Sequence, residues 1–556
     1  MAVIKISQFK GMAPKVAPRM LPDGVAQTAT NCVFGSGSLR PLAVPLSVVA
    51  AGNASLQTGV ISSLFKYGSY WLNWVAGQDV DVCRSSVALD VWDRLYWTGD
   101  TSGIAGPKMA DNTKLLGGAG PKPQSSWPLG IPKPTSAPVA AYSGAAPTSI
   151  ALARRYAYCY RSFCGEEGPL SDASNIVSLD DGVGSVALSG MGSAPPTGYG
   201  NIIEKIIYRS NTGSSTTVWQ LVAVIAIATA TYSDTKLAAD VQEVCPSETW
   251  IAPNVAMKGL VSHPGGFLCG FYDNVLCFSE AYLPHAWPAA YQMQVDNPIV
   301  ALGVFGNSLL VVTTGMPYVV TGGSPASLSP PEKLERGEAC LNKRSFVDVG
   351  YACAWAGPSG LWLASTGSVL LVTENILKPA DWQALLTSIG AAGGVGLIGA
   401  QYGSTYVGFG TTGAFIFDAA TGDYATTDIA ATAQWYDQTT ATLYLVVGGA
   451  VVSWNSGATK KQLVWKSRPE RLQSPDTMGV LQLFAGSYSP PPTVKVFADG
   501  VQIQHKGVPY VVTVTSDEPV NLPGGYTANA TYEVEVTSSV EIVPPLLMAS
   551  CLLELG

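Results

Sequence analysis

The sequence predicts an all-β protein: a β-propeller with an inserted fibronectin type III-like β-sandwich and a C-terminal β-rich segment. Three observations lead there. Charged residues are only 13% of the 556 residues, the AVILMFWYC group is 47%, and glycine numbers 59, a balance suited to pleated sheets with many tight turns. Strand pairs with glycine-rich turns recur, among them "SSLFKYGSYWLNWV", "GGFLCGFYDNVLCFSE", "VALGVFGNSLLVVTTG", "GPSGLWLASTGSVLLVTE", "STYVGFGTTGAFIFDAATG" and "ATLYLVVGGAVVSWNS". From Asn274 their turns fall near Asn307, Gly360, Gly403 and Thr442, within the range of propeller blades, roughly 40 to 50 residues. No unit contains a crossover helix, and radial repetition removes the open edges that isolated meanders would leave.

Taken in chain order, residues 1–45 read as an N-terminal docking segment. Pro22-Asp23-Gly24 makes a turn, and "VAQTATN" is short enough to tie the segment down on a neighbouring element. Residues before Asp23 are expected to be removable without unfolding the propeller. Residues 46–129 read as the first blade or blades. In residues 130–249 a proline-rich linker, "GIPKPTSAPVAAYSG", leads into alternating strands that end near Cys245. These are read as a separate sandwich inserted between blades, with neighbouring termini that would permit excision. Residues 250–460 hold the main blades and one helix, "KPADWQALLTSIG", with proline early and glycine at its end. Residues 461–556 alternate again around an Asp499-Gly500 turn.

Length alone calls for two to four domains. The formal charge, 31 minus 39 or −8, and the lack of a long basic run argue against binding duplex DNA by neutralising its phosphates. "MAVIKISQFKGMAPKVAPRM" has no apolar h-region, and "LVAVIAIATA" from Leu221 is about half the length that crosses a bilayer. A soluble chain is expected. Ten dispersed cysteines suit a reducing cytosol better than a disulfide scaffold.

His263, Cys269, Cys277 and His285 have the residue types of a zinc site, but lack the tight paired spacing that brings two thiolates onto one ion. Their spacing predicts a hairpin: with a loop over residues 272–274, Cys269 and Cys277 face each other across it, and Phe267 and Phe271 share the face of Cys269. No metal is expected. G-x-G-x-x-G at Gly394–Gly399 follows a helix and precedes a strand, the reverse of what phosphate binding at a helix N-terminus needs. "SLFK" from Ser63 lies in a strand-like run without a K-T-G partner. Glu166 and Glu167 are adjacent, so in a strand they point to opposite faces and cannot share a substrate; a turn with two solvated carboxylates is expected. "SNTGSSTTVW" from Ser210 fails as an aspartate box, because threonine replaces the aspartate and the tryptophan is displaced. Three histidines without a G-x-S-x-G elbow offer no nucleophile pair. No catalytic residue and no cofactor emerge.

The opening "FKGMAPKVAPRMLPDGVAQTATNCVFGSGSLRPL" resembles the N-terminal segment of the tail nozzle proteins of short-tailed bacteriophages, also called tail tubular protein B. Similar pieces follow in the family's order: "RLYWTGD", "YRSFCGEEGPLS", "IIYRSNTG", "GLVSHPGGFLCGFYDNVLCFSEAYLPHAWP" and "VWKSRPERL". The resemblance implies a homohexameric ring of β-propellers below the head-to-tail adaptor protein, a distal conduit for DNA during ejection that carries a tail fibre or tailspike. It implies a virion structural protein, located in the tail and assembled in the host cytoplasm, with no enzymatic activity. It also implies that "LPHAWP" leaves one blade and packs against the next, stiffened by Pro284 and Pro288 and anchored by Trp287.

A closed ring needs one patch to meet a different patch on the neighbour. Met12, Pro14, Lys15, Pro18, Arg19 and Met20 are the candidate assembly contacts, since they offer area with few charges and two cations for a partner's carboxylates. A near-neutral or acidic lumen wall would let DNA pass without holding it. The rival reading is a carbohydrate-binding or carbohydrate-cleaving propeller acting in host receptor recognition. A cleaving site would need convergent carboxylates, plus arginines for an acidic sugar. Propeller sites draw one residue per blade, so spacing assembles no such set.

Overall fold

The computed structural model describes residues 3–35, 37–148, 151–212, 217–241, 243–524 and 526–555. They fold into two compact units. The first contains residues 1–76, 314–317 and 335–556, and the second residues 77–313 and 318–334.

The second unit holds three antiparallel four-stranded meanders. They run Asp81–Arg84 to Trp127–Pro128, Lys258–Ser262 to Gln292–Gln294, and Ile299–Phe305 to Glu332–Lys333. Near-continuous apolar strands such as Leu268–Tyr272 and Val275–Phe278 form because both faces of each sheet are covered. The turn between those two strands is one residue shorter than the spacing predicts. Tyr272 pairs with Val275, leaving Asp273-Asn274 as the loop with Asp273 at φ 48. Cys269 therefore pairs with Phe278 and Cys277 with Gly270, so the two cysteines do not face each other. A one-residue change of register sends side chains to opposite faces. Cys269 does share its face with Phe267 and Phe271, while Cys277 packs on the other side with Leu268 and Trp287.

The same unit carries the β-sandwich. One sheet joins Val139–Ser143, Ser185–Ser189 and Tyr232–Asp234, and the other joins Tyr156–Ser162, Ile202–Thr212 and Thr217–Ala226. Tyr156, Tyr158, Val186, Leu188, Ile207 and Val222 fill the space between them. Residues 213–216, within the string from Ser210, lie outside the described residues.

In the first unit, two further four-stranded meanders run Val347–Asp348 to Ser368–Leu371 and Ile398–Tyr402 to Tyr424–Thr427. A third, Ala433–Asp437, Thr442–Val447 and Ala450–Ser453, takes its fourth strand from Leu46–Val49. The first strands of the blades pack side by side, and Ile61–Tyr67 continues the series against Ala433–Asp437. The chain is all-β, of the propeller class. Its longest helix among the described residues, Pro379–Ser388, begins at a proline and buries Trp382, Leu385 and Leu386.

The N-terminal segment is part of this unit's core. Val3–Ile6 pairs with Ile542–Ala549, and Ala26–Thr30 lies between Leu463–Ser467 and Tyr424–Thr427. Ile4, Ile6 and Phe9 join Trp465, Leu481, Leu483, Val534 and Leu546 in one cluster. Removing the residues before Asp23 would therefore strip a strand and core side chains, contrary to the expectation that this stretch is dispensable. Phe9 is 1% exposed, so Phe9→Ala should lower stability by about 3–5 kcal/mol in denaturant unfolding of the full chain. A loss below about 1 kcal/mol would mean that the segment is not core.

Candidate assembly segment and buried polar clusters

Phe9 meets Trp465 edge-on at 4.9 Å, and the Trp465 indole N–H donates to the Lys10 carbonyl at 3.0 Å. Gly11 comes next because nothing larger fits: a Cβ there would sit 2.2 Å from the Tyr424 nitrogen. Its own N–H donates to Asp423 Oδ1 at 2.8 Å, and the Met12 N–H donates to the Tyr424 carbonyl at 2.8 Å. Beyond Met12 the chain lifts into an exposed loop that turns through a short 3-10 segment, Pro18–Met20. Lys15 holds the loop from beneath, its N–H on the Ile376 carbonyl at 2.8 Å and its ammonium on the Glu374 carbonyl at 2.5 Å. At the return, Arg468 donates to the Leu21 carbonyl at 2.7 Å and pairs with both Glu470, at 2.9 Å, and Asp23.

Five of the six candidate assembly contacts, Pro14, Lys15, Pro18, Arg19 and Met20, are exposed. Met12 is not, because it is buried in the core of its own chain. Met20 is 70% exposed, a large apolar tip. Arg19 has no ion-pair partner among the described residues. The strings "FKGMAP…" and "VWKSRPERL" thus meet in space, one forming the loop and the other its clamp.

The remaining strings of the resemblance meet in the second unit. Arg94 of "RLYWTGD" donates to Asp90 at 2.8 Å and to Glu166 of "YRSFCGEEGPLS" at 2.7 Å, with all three side chains at most 5% exposed. Burial alone would raise the Asp90 carboxyl, but the Arg94 hydrogen bond and charge bring it below its ordinary value. Glu166 is also held by the Ser162 hydroxyl at 3.2 Å. Glu167 points elsewhere and accepts from Tyr208 at 2.8 Å and Ser247 at 2.6 Å. The two carboxylates point apart as expected, but they do not form a solvated turn. Desolvated acids of this kind persist only where donors surround them.

His285 lies beside this cluster, edge-on to Trp250 at 5.6 Å. Burial pushes its pKa down, against the pull of Glu166. In the same loop Trp287 donates to the Pro284 carbonyl at 2.9 Å and packs on Cys83, Tyr96 and Met109 of the Asp81–Pro128 blade. His263 stacks on Phe267 at 4.3 Å, and its Nδ1 accepts from the Gly265 N–H at 3.0 Å. Among the described residues no three His, Cys, Asp or Glu side chains form a metal-holding group. All ten cysteines are free thiols, and only Cys551 is exposed. Gly394–Gly399 runs into the strand Ile398–Tyr402, and "SLFK" lies within Ile61–Tyr67. The signal that spacing missed was Arg94 itself, a cation embedded in apolar sequence, which needed buried acids around it.

No family model matches the chain, and no curated protein matches it. Among solved structures it is similar to apo AztD from Citrobacter koseri at 10% identity and a TM-score of 0.25, over 70% of this chain and 100% of that one. It is also similar to Kluyvelomyces marxianus Hsv2 at 9% identity and a TM-score of 0.25, over 50% and 71%. Likenesses this distant carry no argument about what the chain does.

The Arg94–Glu166 pair ties the sandwich to a blade, so the sandwich is not the freely excisable module that its linker predicts. Glu166→Ala should cost about 3–5 kcal/mol in full-chain unfolding, because it leaves a buried cation short of one acid. Excision of residues 130–249 should give insoluble protein; a soluble, cooperatively folding product would contradict the pair's importance.

Acid should weaken the fold through the histidines. Burial lowers the pKa of both His285 and His263, so the unfolded chain takes up protons first as pH falls below about 6.5. Stability then drops by up to about 1.4 kcal/mol per pH unit for each histidine until the lower, folded pKa is reached. His285→Gln should remove up to one proton's worth of that slope in unfolding measured from pH 7.5 down to pH 5. An unchanged slope would show that His285 takes up its proton as readily in the fold as in the unfolded chain.

Proposed function

We propose that this chain is a structural subunit of the tail of a short-tailed bacteriophage, belonging to its nozzle and conducting DNA during ejection. It works as one member of a homohexameric ring, joined above to the head-to-tail adaptor and carrying a tail fibre or tailspike, with no catalytic step of its own. The observation that carries this reading is the clamped loop from Ala13 to Met20. An apolar tip, with a cation that has no ion-pair partner among the described residues, is held out from a core of which its own flanks are part. Such a loop loses little entropy when it docks, which favours a permanent assembly contact. The −8 balance supports passage of DNA without lasting phosphate contacts.

Negative-stain images and mass photometry of the purified chain should show six-fold rings. The double change Arg19→Glu, Met20→Asp should leave the melting temperature unchanged and yield monomers. Rings that survive this change, or a parent protein that stays monomeric at every concentration, would overturn the assignment of the loop.

A further inference from the structure

A second loop is built like the first. Residues 85–93, "SSVALDVWD", join the strands Asp81–Arg84 and Leu95–Thr98 of a blade in the second unit. It is fastened at several points: the Ser85 N–H donates to the Arg94 carbonyl at 3.0 Å, the Asn112 N–H donates to the Trp92 carbonyl at 3.1 Å, and Arg94 holds Asp90 at 2.8 Å. Its tip is apolar, with Leu89 96% and Val91 83% exposed. The Ser86 hydroxyl donates to the Gly266 carbonyl at 2.9 Å, and the same carbonyl takes the Tyr282 N–H at 2.7 Å. Tyr282, itself exposed, is thereby brought beside the loop.

Leu89 at φ 54 and Tyr282 at φ 60 both hold left-handed backbone. A bulky side chain there is strained, and folding recovers little from an apolar group that stays in water. Backbone held in this way gathers where a surface makes contact. Leu553, at 94%, is the other large apolar side chain more than four-fifths exposed among the described residues. The acid beside it, Glu554, is occupied by the Ser550 N–H at 3.2 Å and hydroxyl at 2.7 Å.

The two loops carry opposite charge. Residues 13–20 hold Lys15 and Arg19 and no acid, whereas residues 85–93 hold Asp90 and Asp93 and no cation. Asp90 is buried against Arg94, but Asp93 is half-exposed and meets only the half-exposed Arg84 loosely, at 3.7 Å, a pair that water screens. Asp93 thus stands beside the apolar tip as an acid that a better-placed cation can take. A head-to-tail contact needs two different patches on one chain, and an apolar tip with a cation is matched by an apolar tip with an acid.

We infer that the surface formed by Leu89, Val91, Tyr282 and Asp93 of one copy receives the Ala13–Met20 loop of the neighbouring copy. Met20 packs on the apolar tip, and Arg19 pairs with Asp93. This rests on the ring reading above and names the second patch that such a ring requires.

Mass photometry on full-length chains tests it. Arg19→Glu and Asp93→Arg each set like charges against one another at every contact, so each protein alone should be monomeric. Mixed in equal amounts they should form rings again, because every contact then joins opposite charges. Leu89→Gly relieves the left-handed backbone; it should weaken assembly about tenfold while the melting temperature holds or rises. A mixture that stays monomeric, an Asp93→Arg protein that still forms rings, or a Leu89→Gly protein that assembles like the parent would overturn this surface and leave the Ala13–Met20 loop its own assignment. Rings that survive Arg19→Glu, or a monomeric parent, would sink both. Flotation of the parent with phosphatidylcholine vesicles, lost in Leu89→Gly, would give the surface to a lipid partner and overturn the contact between copies.

Discussion

Strand Ala26–Thr30 is the constraint on which the first unit depends. It runs antiparallel to Leu463–Ser467 and parallel to Tyr424–Thr427, so one short stretch of chain closes the gap between a blade and the C-terminal strands. Without it both neighbours would present unpaired backbone edges, which water would solvate or another chain would capture. The residues before it are fixed in turn. Gly11 lies against Tyr424, and Phe9 fills the space beside Trp465, because the strand's position leaves them nowhere else to go. Leu46–Val49 repeats the device by completing a blade whose other strands begin at Ala433. Ends that interlock in this way make the unit's folding non-local and cooperative, since few of these contacts form before distant segments meet.

The second unit is held by a different interaction. Arg94 brings a full charge into the interior, and a lone buried cation would be prohibitively costly. Asp90 and Glu166 surround it within 2.8 Å, one from the neighbouring turn and one from the sandwich. An ion group of this sort adds little net stability against apolar packing. Its effect is on which arrangement is allowed: any packing that separates blade from sandwich leaves a charge stranded. Lys108 with Asp100 at 2.9 Å and Arg209 with Asp234 at 2.8 Å repeat the pattern elsewhere in the unit. Low overall charge thus coexists with charges placed where they decide geometry.

Function on the proposed reading uses both rigidities. A tail component must keep its shape while DNA passes under force, which favours edges sealed by distant strands and loops clamped at their bases. The exposed loop from Ala13 to Met20 is stiff because Lys15 and Arg468 hold its two ends to backbone carbonyls.

The sequence by itself determined the all-β class, the blade hairpins, the sandwich strands after the proline-rich linker and the helix Pro379–Ser388. Each is written in local periodicity and turn chemistry, which neighbouring residues can express alone. Tertiary structure decided the remainder. It placed Met12 in the core while the residues after it stayed exposed, made the turn at Asp273-Asn274 one residue tighter so that Cys269 and Cys277 part, and buried Glu166 of "GEEG" beside Arg94 while Glu167 took donors from Tyr208 and Ser247. The physical reason is the same in each case: burial and pairing depend on what arrives from far along the chain, as Arg94 does for Glu166 and Tyr424 does for Gly11, and no local pattern records that arrival.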